Sequence, residues 1–395
     1  MTGKLGRPHA VLVVANLPFA KDRRVTREAS SLIAAGWDVT VVCPYSAEEL
    51  GIPPEAAGVE LRTYRLPVQG NGVASFAAEF LLSFVSVAGI LVRLRLRRRI
   101  NVVQFCNPPD IFFPLFPMVA RLGGHPVLDH HDVSPEMYLS RTERPFVPLV
   151  NLLRFFERMS QRWAHAVVAT NESFAARAKM VGVPTDRIVV VRNGPTRLEI
   201  EIAHGRVPSP SPVIGYLGVL GSSDGVESFV KMARHVHDQR QDATFVLVGD
   251  GPALPSLRQL VERLGMSAVV RFTGWLSAPD VHRELADFTV AVQPDPQNDM
   301  NEISTMAKTV EYIARGLPVV AVDMVETRET AGDAAVYVRE NDPRVLAEVV
   351  LELLASPERR LRMSQIGRER FENGLAWDHQ QRSYLALFEQ MLSTR

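Results

Sequence analysis

In "STMAKTVEYIARGLPVVAVD", residues 304–323, Lys308 and Glu311 stand near the start of a helical pattern that runs into a β-branched strand. Ser304 and Thr305 are N-cap residue types, and Gly316 suits the position just past Arg315, the last helical residue. Such a helix opens toward the crevice outside the carboxyl ends of the strands, where open α/β sheets bind ligands. There Glu311 could accept the two hydroxyls of a ribose, Lys308 could meet a phosphate, and the Ser304–Met306 backbone could donate to a diphosphate. On an open surface the same two side chains would form only a solvated i,i+3 pair, worth about 0.2–0.5 kcal/mol.

Three further loops follow strand-like runs. "GYLGVLGSSDGVESF" carries Gly218 and Gly221, which let backbone approach a ligand. "LVGDGPALPSL" carries Asp250 and Gly251. "RFTGWLSAPD" places Thr273, Gly274 and Trp275 where backbone edges and an aromatic could face a nucleobase. Four loops converging on one strand end weigh more than any one alone. In the first half, "VLDHHDVSPE" puts His130, His131 and Asp132 at a strand end; neighbours on a strand point to opposite faces, so one histidine faces the crevice, the other lies in the core, and no metal site is expected. "ANLPFAKDRRVTREA" and "VVATNESFAARAK" contribute Asn16, Arg23, Arg24 and Asn171 as acceptor-side candidates, the arginines alternatively solvating a helix start. The chain has no Gly-x-Ser-x-Gly elbow, P-loop or His-Glu-x-x-His, which argues against a serine hydrolase, P-loop NTPase or zincin.

Alternating strands and helices must position these loops. Strands are expected at His9–Ala15, Trp37–Cys43, Val59–Tyr64, Asn101–Phe105, Pro126–His130, Ala164–Thr170 and Arg187–Val191. The pattern restarts at Val213–Leu217, Ala243–Val248, Ala268–Phe272, Phe288–Val292, Leu317–Val322 and Ala334–Val338. Helical patterns such as Asp22–Ala35, Pro145–Trp163, Pro357–Glu372 and Trp377–Leu392 fill the gaps. The fold class is α/β: two doubly wound, Rossmann-like domains facing across a cleft. "HGRVPSPSP", residues 204–212, is the linker between an acceptor domain, 1–207, and a donor domain, 208–377, and the 378–395 helix returns to the first.

With 395 residues, 46% hydrophobic, 22% charged and a net charge of zero, the chain suits a soluble two-domain enzyme and no nucleic-acid binder. Cys43 and Cys106 lie in or beside apolar runs as small core residues of a reducing compartment, and no signal peptide is visible. "FAAEFLLSFVSVAGILV", Phe76–Val92, is marginal for a bilayer span; with Arg93, Arg95, Arg97, Arg98 and Arg99 behind it, it reads as a crossover helix or as a peripheral contact with anionic membrane through 76–99.

The stretch 304–338, with "VGDGPALPSL" and "RFTGW", resembles the donor domain of glycosyltransferase family 4, whose members are retaining transferases of the GT-B fold. "DRRVTREASSLIAAGWDVTVV" and "VLDHHDVSPE" resemble the acceptor domain of its bacterial surface-polysaccharide members. The resemblance implies transfer of a hexose from a nucleotide-diphosphate sugar, UDP-linked rather than GDP-mannose, to a saccharide, lipid-linked or small-molecule hydroxyl, with no metal or other cofactor. It implies that Glu311 holds the donor ribose, Ser304–Met306 the diphosphate and sugar, and Thr273–Trp275 the base, with Asp250–Gly251 in the donor-binding loop before it, while His131 meets the reacting sugar and the enzyme works in the cytoplasm or at the inner membrane face. Two departures stand out. Ile303 occupies the place of the family's first acid, with Glu302 one position off, and Val219 and Asp224 replace two diphosphate-binding cations. A nucleotide-sugar epimerase and a degenerate nucleotide-sugar binder are the rival readings; a dehydrogenase would need the glycine fingerprint that the first turn lacks.

Overall fold

The computed structural model describes residues 7–45, 51–66, 73–140, 142, 144–201 and 211–393. Of the expected linker, 204–210 lie outside the described residues. The chain divides into two compact units, Met1–Arg192 with Gln380–Arg395, and Asn193–His379.

In the first unit, β1 (His9–Val14), β2 (Asp38–Pro44), β3 (Glu60–Tyr64), β4 (Val102–Cys106), β5 (His125–His130), β6 (Ala166–Ala169) and β7 (Ile188–Val190) form one sheet in the order β3-β2-β1-β4-β5-β6-β7. Every pairing is parallel. Strand β1 is buried along its whole length, as β-branched runs are when helices cover both sheet faces. Val11, Val13, Val103 and Phe105 pack under Val87, Leu91 and Leu94 of the helix Val73–Arg97. On the opposite face, Gln104 pairs in register with Leu12 and meets the C-terminal helix Trp377–Ser393: Tyr384 Oη donates to Gln104 Oε1 at 2.8 Å. Phe388 of that helix makes an edge contact with Trp37 at 5.5 Å.

The second unit holds β8 (Val213–Leu217), β9 (Thr244–Val248), β10 (Val270–Phe272), β11 (Val290–Gln293), β12 (Val319–Val322) and β13 (Ala335–Val338), in the order β10-β9-β8-β11-β12-β13. These pairings are parallel too. Alternation assigns Ile214 and Tyr216 to one apolar layer and Val213 and Leu217 to the other. The sheets are thus doubly wound, and strand order reverses at β1/β4 in one and at β8/β11 in the other. Ligands of open α/β sheets bind at the carboxyl ends beside such reversals.

The helix after β11 departs from expectation at its start. It spans Ala307–Ala314 with Met306 at the N-cap position, and no side chain caps it. Ser304 Oγ instead donates to the Met300 carbonyl at 2.7 Å, closing a short helix, Asp299–Ile303. Its end is as expected: Gly316, at φ +68°, takes the left-handed conformation that stops the helix after Arg315.

Among the described residues no helix is long and apolar enough to cross a membrane. The helix Val73–Arg97 still exposes Leu81, Val85, Val92 and Leu96, which fall on one stripe. Arg98 leaves the basic cluster read from the sequence. It is committed to Thr40 at 2.7 Å and to Glu60.

Candidate active site

In the second unit the strand reversal sets the loop after β8 beside the residues following β11. Lys308 projects into this corner. Its Nζ donates to both carboxylate oxygens of Asp295, at 2.7 and 3.0 Å, and to Tyr216 Oη at 3.2 Å, and lies 4.7 Å from the centre of the Tyr216 ring. Tyr216 Oη in turn donates to the Val219 carbonyl at 2.8 Å. Burial, with Asp295 and Asp224 nearby, pushes the Tyr216 phenol well above its usual range, so it stays a neutral donor. One chain of contacts therefore ties Asp295, Lys308 and Tyr216 to the glycine loop.

The glycines serve loop packing. A Cβ on Gly249, at φ +135°, would run into the Gly218 carbonyl oxygen, and one on Gly218 would meet Tyr216 Oη at 2.9 Å. Gly251 lies as closely on the Leu220 backbone, and Leu220 N donates to the Asp250 carbonyl at 3.0 Å. Gly274 joins the same assembly through an antiparallel bridge to Gly249. Gly221 lies under the Asp224 carboxylate. The loops carrying Gly218, Gly221, Asp250, Gly251, Thr273 and Gly274 are thus gathered, with Trp275 77% exposed and Val219 60% exposed on their surface.

Lys308 and Glu311 do not form the solvated pair expected of an open surface. Glu311 Oε2 accepts from Arg315 Nη1 at 2.6 Å, with both side chains largely buried. Buried Tyr312 between them accepts from Leu217 N at 2.7 Å, which locks the helix against the end of β8. Thr305 Oγ1 donates to Glu326 at 3.3 Å, and Ser304 and Met306 lie just ahead of the first turn, which no side chain caps. Glu302 accepts from Val325 N at 3.3 Å and so serves the start of the next helix. A surface hollow of about 590 Å3, lined by Val213, Thr244, Arg258 and Asp287, lies at the amino ends of the strands, away from this corner.

In the first unit, His131 and His130 part company as strand alternation requires. His130 is fully buried, 3.3 Å from Glu157 and 4.9 Å from the Phe174 ring. His131 reaches the edge of the core, where Asn107 Oδ1 accepts from its backbone N at 2.6 Å and its Nε2 bonds Asp129. Asp129 is fully buried and also accepts from Arg24 Nη2 at 2.9 Å, Arg24 Nε at 3.2 Å and Gln104 Nε2 at 3.0 Å. Burial would raise the Asp129 carboxyl, but Arg24 and His131 outweigh it and hold it far below the usual carboxylate range. For His131 burial pulls downward, yet the charge and hydrogen bond of Asp129 keep it above its ordinary value.

Two acceptor-side candidates are corrected here. Arg24 is buried against Asp129, Glu28 and the Val191 carbonyl, so it neither solvates the helix start nor faces an acceptor. Asn171 is fully buried, and its side chain caps the helix Glu172–Met180 by accepting from Phe174 N at 2.8 Å. Asn16 and Arg23 remain exposed at the carboxyl end of β1 and the following helix start. Cys106, Asp129 and His131 bring donor atoms within 4.8 Å of one another, the spacing of a metal site. A cation there would have to displace the Arg24 guanidinium from Asp129, so the donor set does not suit one.

Asp295, Tyr216 and Asp129 were not among the candidates read from the sequence. Asp295 had a signal, as the first acid after a buried strand at the reversal. Asp129 had one too, since it shares a strand face with His131 two residues on.

Comparison with known proteins matches the description "Glycosyl transferases group 1" to residues 211–356 and "Glycosyl transferase 4-like domain" to residues 22–194. The chain is 25% identical over 318 residues to a 2-deoxystreptamine glucosyltransferase of Streptomyces kanamyceticus, covering 76% of this chain and 80% of that protein. In fold it is similar to a sucrose-phosphate synthase from Thermosynechococcus elongatus, with TM-score 0.75 and 16% identity over 98% of this chain and 100% of that one. It is similar also to Anabaena Alr3699/HepE in complex with UDP and glucose, with TM-score 0.68 and 14% identity over 98% of each chain. Two parallel Rossmann-like sheets, each with its loops gathered at a strand reversal, and matches that together run from residue 22 to 356 lead to one assignment: the chain belongs to the family-4 glycosyltransferases of the GT-B fold.

Proposed function

We propose that this glycosyltransferase moves a hexose from a UDP-sugar, rather than GDP-mannose, to a hydroxyl of a saccharide or lipid-linked saccharide, retaining configuration and using no metal. The observation that carries the reading is Lys308. It is a lysine largely withdrawn from water at a strand reversal, held by one carboxylate beside gathered glycine loops. A diphosphate entering this corner competes with Asp295 for the ammonium. A charge contact at ~4 Å and an effective dielectric of ~20 is worth about 4 kcal/mol before desolvation. Lys308 then takes the load of the two cations replaced by Val219 and Asp224, together with the first-turn N–H groups of the helix Ala307–Ala314. Glu311 turns from Arg315 to the ribose hydroxyls, and Thr273–Trp275 face the base. His131 meets the transferred sugar, and the leaving phosphate assists attack on the same face. The UDP held by the Anabaena neighbour supports a uridine donor. The exposed stripe of Leu81, Val85, Val92 and Leu96 beside Arg93 and Arg97 supports a peripheral site on anionic membrane at the inner face, and with it a lipid-linked acceptor.

A thermal-shift panel of UDP-, GDP-, dTDP- and ADP-sugars with EDTA, on wild type and Glu311→Ala, tests the donor half. One UDP-sugar should stabilise wild type and fail on the variant. At 100 times its dissociation constant the stabilisation is about 2.7 kcal/mol. No shift with any nucleotide sugar overturns the reading in favour of a degenerate site. Product analysis by NMR with donor alone separates transfer from epimerisation.

A further inference from the structure

We propose that Asp129 is a positioning residue for His131. It binds Nε2 from inside the core, fixes the ring plane, and leaves Nδ1–H as the donor that the substrate meets. The inference rests on the reading of His131 as the group facing the reacting sugar. The geometry is over-determined for a mere fold contact. Asp129 accepts from Arg24 twice, from Gln104 and from His131, with three of the four donors converging on Oδ2. Gln104 is held in turn by Tyr384 at 2.8 Å and donates to Glu28 at 2.6 Å. Buried ionic clusters of this kind seldom stabilise a fold more than well-packed apolar residues would, which leaves orientation as what they add. Of Arg24, Glu28, Asp129 and His131, only His131 keeps appreciable exposure, 14% of its side chain.

The charged and titratable groups around the ring and the carboxylate that holds it are Asp22, Arg24 and Glu28 from the first helix and its cap, Cys106 on β4, Asp129 on β5, and Tyr384 behind Gln104. Among them Asp129 favours the imidazolium and Arg24 opposes it. With both ring nitrogens protonated, His131 donates to a sugar hydroxyl or to a phosphate oxygen and does not serve as a base. Its charge is complete below the raised pKa and is lost as pH rises through it.

The test is the pH profile of kcat for wild type and Asp129→Asn, with His131→Ala as reference. Removing the carboxylate charge should move the alkaline limb to lower pH by about 1–3 units, with kcat falling and the donor KM unchanged. An unmoved limb in a folded Asp129→Asn enzyme overturns the inference. Should the variant not fold, NMR titration of His131 in wild type decides: a midpoint above about 6.5 with Nε2 protonated throughout supports it, and an ordinary midpoint or the opposite tautomer defeats it. Full transfer by His131→Ala sinks instead the underlying reading of His131, so the two failures are distinguishable.

Discussion

In the first unit, Arg24, Glu28 and Asp129 are sealed from solvent, with a planar guanidinium doubly bonded to one carboxylate and also bonded to a backbone carbonyl. In the second, Lys308 rests on Asp295 and Tyr216 at the rim of a glycine-built corner, with a compact ammonium on a flexible stem. The difference lies in what each cation can give up. Arginine's fork is fixed in register with its partners, whereas a lysine can turn its three donors to a new anion by rotating about its own bonds. One cluster is built to hold a shape; the other is built to change partners.

The comparison can be broken by variants. Arg24→Met should cost about 3–5 kcal/mol of stability in urea unfolding, because the buried Asp129 carboxylate loses its counter-ion, and Glu28 and the Val191 carbonyl lose a donor. Lys308→Met leaves buried Asp295 unpaired and so costs stability too, but less than Arg24→Met, which also strips a donor from Glu28 and from the Val191 carbonyl, while cutting transfer by about 10²–10³-fold. Equal destabilisation by the two variants would falsify the distinction. Gly249→Ala sharpens it from the side of the loops. The added methyl group meets the Gly218 carbonyl oxygen at a backbone conformation that L-residues avoid. We expect a cost of about 1–3 kcal/mol together with a loss of the donor-induced thermal shift. A variant that keeps the shift would show that loop packing is not needed for the donor. Tyr384→Phe should be mildest, about 1 kcal/mol for one buried hydrogen bond. It should leave the donor-induced shift intact, since Tyr384 belongs to the first unit.

How far these clusters were legible in the sequence depended on range. The thirteen strands among the described residues followed from β-branched runs, and most of their ends moved by one or two residues because pairing partners, not the run itself, set where a ladder stops. The separation of His130 from His131 followed from strand alternation alone. The caps at Ser304 and Thr305 failed because the helix starts later, with Met306 at the N-cap position, while Ser304 donates back to the Met300 carbonyl of the preceding helix. Lys308 and Glu311 were read as ligand-binding groups, with each other as the only alternative partner, because local spacing is all a sequence displays. Their real partners, Asp295 and Arg315, depend on which face each side chain takes once Tyr312 is pinned under β8. Arg24 and Asn171 were read as acceptor-side groups for the same reason. Asp129 lies 105 residues from Arg24, a distance no local pattern spans.

The hook of Tyr384 onto Gln104 has a consequence for the order in which the chain matures. The second unit is continuous from Asn193 to His379, but the first needs residues from Gln380 onward. At a synthesis rate of about 5–20 residues per second, Gln380 follows Arg192 from the ribosome by roughly 10–40 s. Throughout that interval Gln104 and Trp37 lack their final cover, while the later-made unit can already close. The older half of a nascent chain would therefore be the more vulnerable to proteolysis and chaperone capture, and a truncation ahead of Tyr384 would prolong that state indefinitely.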